Sequence, residues 1–93
     1  MPNQYLYQKM TAEEVVALMR QADLSVSDVV KLLGRDYLEV KKYMDPKYTD
    51  RKPTTAEALL LTFMAEYPEH VPTLIDMAEV RITGQRKPGG SNA

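Results

Sequence analysis

Four times between residues 11 and 57 a Ser, Thr or Asp is followed three positions later by an acid: Thr11 with Glu14, Ser25 with Asp28, Asp36 with Glu39, and Thr54 with Glu57. The first residue of such a pair accepts a hydrogen bond from an orphan amide of a first helical turn, and the acid reaches back to the cap amide. The acid also faces the positive end of the helix dipole. In two of the pairs an apolar residue precedes the cap and another follows five positions on, Met10 with Val15 and Leu24 with Val29, which is the arrangement of a hydrophobic staple. Each pair opens a run with helical apolar spacing, and no run shows the alternation of a strand. The chain is thereby committed to starting helices at four fixed points, and the expected fold class is all-α.

The periodicity supplies the rest of the helices. Helix one is predicted over Ala12 to Ala22, with Val15, Leu18, Met19 and Ala22 on one buried face. Helix two runs Val26 to Leu33 and stops at Gly34, a residue that tolerates the left-handed conformation after a helix. Helix three runs Tyr37 to Met44 and ends before Asp45-Pro46, because a residue preceding Pro avoids the α region. A polar loop then leads to helix four, Thr55 to Tyr67, and a fifth helix is predicted from Pro72 to about Thr83-Gly84. The architecture expected is a compact five-helix bundle. Residues 1–10 form an N-terminal arm, 11–84 the folded domain, and 85–93, with Pro, Gly and no apolar anchor, a disordered tail.

Composition removes several classes of function. The 93 residues are 44% hydrophobic and 27% charged, normal for one folded domain. There is no Cys and one His, so disulfides, thiolate metal sites and Cys/His zinc chemistry have no ligands. No metal or cofactor is expected. No signal-type apolar segment and no bilayer-length apolar run is present, which points to a cytoplasmic protein without a membrane partner. Neither a glycine-rich phosphate loop nor a nucleophile elbow occurs, and acids such as Glu13 and Glu14 sit where capping explains them. The chain does not read as an enzyme.

The net charge is only −1, but its distribution is uneven. Residues 1–30 and 53–93 each carry −2, whereas 31–52 carry +3, from Lys31, Arg35, Lys41, Lys42, Lys47, Arg51 and Lys52 against four acids. Local field rather than global charge steers a polyanion. The positive segment includes a short helix, a Gly turn and a second short helix with adjacent lysines, the layout of a helix-turn-helix. With Val40 and Tyr43 or Met44 on the inner face of helix three, Tyr37, Leu38, Lys41 and Lys42 point outward. They combine a hydrogen-bonding aromatic, a group able to touch a thymine methyl, and two cations. Arg35, Lys47, Tyr48, Arg51, Lys52 and Thr54 are candidate phosphate contacts. Solvated surface charge is the competing reading for the loop residues, and plain capping for Thr54.

On these residues, positions 12–67 resemble the DNA-binding domain of Cro/CI-type (Xre-like) regulators, the lambda repressor-like fold. The family pattern is matched by Leu24-Ser25, Leu32-Leu33-Gly34, Val40, Tyr43 and Arg51-Lys52-Pro53. Val26, Val30 and Asp36 depart from it, standing where the family has Gln, a small residue and Ser. The basic loop leading to Pro and Thr is also similar to small phage regulators of the anti-CRISPR-associated autorepressor kind. The resemblance implies a transcriptional regulator that binds double-stranded DNA as a homodimer on a palindrome. Leu59-Leu60-Leu61 covers too wide an arc for one buried stripe, and Leu60, Phe63, Met64, Leu74 and Met77 are the candidate dimer interface. Two alternatives remain open. One is a protein-interaction module such as an antitoxin or adaptor with a protein partner; the other is a DNA-packaging or recombination accessory.

Overall fold

A computed structural model describes residues 5–83; the predicted tail, 85–93, lies outside the described residues. Five α-helices occur in the order α1 (Ala12–Gln21), α2 (Val26–Leu33), α3 (Tyr37–Tyr43), α4 (Thr55–Glu66) and α5 (Val71–Thr83), with no strand among the described residues. The protein is all-α, as the cap spacing predicts. Thr11, Ser25 and Thr54 each form the full reciprocal box, their side chains accepting from the amides of Glu14, Asp28 and Glu57 at 3.1, 3.1 and 3.2 Å. Asp36 caps α3 in one direction only. It accepts from the Glu39 amide at 2.8 Å, while the Glu39 carboxylate turns instead to Arg51 at 3.5 Å.

Helix ends are closed as deliberately as starts. After α1 the Leu24 amide donates to the Met19 carbonyl (2.8 Å) and the Asp23 amide to the Arg20 carbonyl (3.1 Å), with Asp23 in the left-handed region at φ 57°. This is a Schellman closure, and Leu24 and Met19 are buried together as it requires. Gly34 ends α2 at φ 67°, and a Cβ built there would meet nothing within 4 Å. Gly34→Ala is therefore expected to cost about 1 kcal/mol, all of it backbone strain and none of it collision. Urea denaturation checks this: a loss near 3 kcal/mol would show that the turn is sterically closed.

The predicted helix bounds shift by one residue at four places. Residues Pro68–His70 form a 3-10 turn, so α5 begins at Val71 rather than Pro72. Val71 is buried and already has helical backbone angles where the 3-10 turn runs into α5. Ala22, Met44 and Tyr67 are end caps rather than last helical residues.

The core is one cluster of Val15, Met19, Ala22, Leu24, Val29, Val40, Tyr43, Leu61, Met64 and Val71. Helix α1 packs on α4, and α2 packs on both α3 and α5. Lys31 on α2 adds an ion pair to Glu79 on α5 at 3.0 Å. Helix α3 thus lies at the side of the bundle with one flank buried.

Candidate nucleic-acid interface

The inner side of α3 is closed, with Val40 and Tyr43 buried and Met44 packed against the core. Its outer side carries Tyr37 (55% exposed), Leu38 (69%) and the exposed Lys41. Lys41 and Lys42 occupy the last turn, where the negative end of the dipole favours cations. Lys42 is half-buried, its ammonium 5.5 Å from the centre of the Tyr48 ring. Lys47 approaches the same ring at 5.3 Å.

The loop behind this face is built around Asp45. Its carboxylate accepts from the Lys47 amide at 2.9 Å, and its carbonyl accepts from the Tyr48 amide (3.1 Å) and the Lys52 ammonium (3.2 Å). The Asp45 amide itself donates to the Lys42 carbonyl. An Asx turn of this kind fixes short loops locally. Lys52 is consequently half-buried and engaged inside the loop. Arg51 is shared between Glu39 (3.5 Å) and Asp50 (4.0 Å).

Arg35 and Tyr43 meet on Glu57, a residue that the sequence marks only as a cap. Glu57 Oε2 accepts from Arg35 Nε at 2.7 Å; Oε1 accepts from the Tyr43 hydroxyl and the Thr54 amide, both at 2.9 Å. Burial pushes the Glu57 carboxyl up, but the hydrogen bonds from Arg35, Thr54 and Tyr43 outweigh it and hold the group below the usual carboxylate range. Burial, then the bond to Glu57, pushes the Tyr43 phenol up to about 12. The Arg35 guanidinium is raised by its bond to Glu57. One carboxylate therefore ties the residue before the α3 cap, the last residue of α3, and the start of α4.

The ten expected DNA contacts thus divide. Tyr37, Leu38 and Lys41 share one exposed face; Lys42, Lys47 and Tyr48 form a cation–aromatic group at the end of that helix. Arg35, Arg51 and Lys52 hold intramolecular partners, and Thr54 is a helix cap.

The apolar surface on the later helices is smaller than expected. Met64 has no exposed surface, so its assignment to a dimer face is withdrawn: the residue faces the core beside Leu61. Leu60 and Leu74 are half-buried against the core. Phe63 (39%) and Met77 (58%) are exposed, as are Leu59, Tyr67 and Ile82. The Phe63 ring lies 5.3 Å from Tyr67 and 5.7 Å from His70, on which it stacks.

Among the described residues no group of three potential metal ligands converges, and no helix is long and apolar enough to cross a membrane. In comparisons with known proteins the chain matches no family model, no curated protein and no solved structure.

Proposed function

We propose that the protein is a sequence-specific DNA-binding transcriptional regulator, a dimeric repressor that occupies a palindromic operator, with its own promoter as the first such site. Helices α2 and α3 with the turn at 34–36 act as the helix-turn-helix, and the protein works by binding rather than by catalysis. One observation carries this reading. An exposed leucine and tyrosine stand beside Lys41 on a helix whose opposite side is fully buried. Exposed apolar side chains among cations add nothing to solubility, but they match a major groove. Leu38 meets a thymine methyl, Tyr37 a base edge or phosphate, and Lys41 a guanine or phosphate. A single small reading head binds weakly, and a two-fold dimer doubles its contacts. Phe63 and Met77 are the exposed members of the surface assigned to that dimer.

A partner of another kind is the second reading, favoured by the exposed Leu59, Phe63, Tyr67, Met77 and Ile82. Chromatographic mass of the wild type and of Phe63→Glu/Met77→Glu separates the two. A dimer that the variant splits fits the first. A wild-type monomer that gains mass only with a co-expressed protein fits the second.

The DNA reading is tested by enriching duplexes from a random library and measuring anisotropy with wild type and Lys41→Glu/Lys42→Glu. Binding in the nanomolar range that falls steeply with salt is expected, weakened about 100-fold in the variant. Equal, weak binding by both proteins to enriched and random duplexes would sink the reading.

A further inference from the structure

Lys42 and Lys47 come from different segments, the end of α3 and the loop after it, yet both ammonium groups lie over one aromatic ring. Nothing about solubility calls for this. A lysine loses considerable rotamer freedom when it is held, and two like charges brought to one ring repel each other. The half-buried Tyr48 ring offsets both through its negative π face. Backbone bonds fix the segment that carries the ring: the Tyr48 amide donates to the Asp45 carbonyl and its carbonyl accepts from the Arg51 amide at 3.2 Å. Among the described residues neither lysine has a carboxylate partner, in contrast to Arg35, Arg51 and Lys31. The pair is organised and electrostatically unspent.

We propose that Tyr48 is a positioning residue that holds Lys42 and Lys47 as a two-cation clip on the phosphate backbone of duplex DNA, beside the groove faced by α3. The inference rests on the DNA reading above and adds a division of labour to it. Tyr37, Leu38 and Lys41 read bases, while the clip sets register without reading sequence. Tyr48 touches no phosphate; it lowers the ordering cost that two free lysines would meet on binding.

Four proteins test this on an enriched duplex over a range of salt: wild type, Tyr48→Phe, Tyr48→Leu and Lys42→Gln/Lys47→Gln. Tyr48→Phe keeps the ring and is expected to bind like wild type. Tyr48→Leu retains both lysines and is expected to bind about 5- to 10-fold more weakly with an unchanged salt slope, since the same cations still reach phosphate. Lys42→Gln/Lys47→Gln is expected to flatten the slope by about 2, the loss of two neutralised phosphates. The free protein gives a second readout: proton NMR of the Lys42 and Lys47 ε-methylenes, expected upfield of ordinary lysine from the Tyr48 ring current. Ordinary shifts there, or Tyr48→Leu binding as tightly as wild type, would overturn the clip alone. Wild type that binds no duplex would overturn the DNA reading and the clip with it.

Discussion

Glu57→Ala is expected to lower the free energy of unfolding by about 3 kcal/mol, because it strands three donors at once. In a domain of this size that corresponds to a fall in Tm of roughly 10–20 °C. The Tyr43 hydroxyl suffers most, since its residue is buried and Glu57 is its hydrogen-bond acceptor. Arg35, partly exposed, recovers some hydration. Acid titration isolates the charge. The Glu57 carboxyl lies below its ordinary value in the folded protein, so the stability it contributes is fully present above about pH 5 and lost as pH falls through the folded value. The stability gap between wild type and Glu57→Gln is therefore expected to be constant near neutrality and to be narrower at pH 3 than at pH 7. Urea denaturation at pH 7 and pH 3 measures it, and an undiminished gap at pH 3 would rule out the ionised carboxylate as the cause. Alkali acts with the opposite sign. The raised Tyr43 phenol stabilises the fold below its ordinary pKa near 10 and ceases to do so as pH rises through about 12. One of the six tyrosines should titrate there, and Tyr43→Phe should remove it.

Leu61→Ala is expected to cost about 3–4 kcal/mol, the middle of the range for truncating a core leucine, and Leu61 has no exposed surface. Against a total stability of roughly 5–14 kcal/mol for a chain this long, that is a large share. Leu59→Ala is the matched control. It lies two residues away on the same helix but is 65% exposed, and is expected to change stability by less than about 0.5 kcal/mol. Thermal melts of the two variants decide which side of α4 carries the fold. Equal losses would mean that the outer side is also buried, by another molecule.

The contrast between these neighbours explains what could be read in advance. Helix starts at Thr11, Ser25, Asp36 and Thr54, and the stop at Gly34, depend on residues within a few positions of one another, and the sequence carries them in full. The burial of Val40 and Tyr43 follows from the short period of α3. Helix α4 is apolar nearly all round, so periodicity could not say that Met64 faces inward while Phe63 remains exposed. The role of Glu57 was hidden for a different reason. Its capping is local, but Arg35 and Tyr43 are 22 and 14 residues away, and no local pattern encodes those bonds. Asp45 is visible in sequence as the residue before Pro46, which explains the end of α3 but not the loop its carboxylate and carbonyl organise. Tyr48 is visible in sequence as a candidate phosphate contact, but its pairing with both Lys42 and Lys47, the two of them within the six positions before it, is not.

An isolated helix of seven residues is marginal in water, and α3 has only that many. It persists because Val40 and Tyr43 are held by the core and by Glu57, so the surface bearing Leu38 and Lys41 vanishes whenever the globule opens. Any activity on that surface must scale with the folded fraction. Substitutions as remote as Leu61 would then yield conditional alleles, silent in the cold and defective in the heat, whose defect no inspection of α3 would explain.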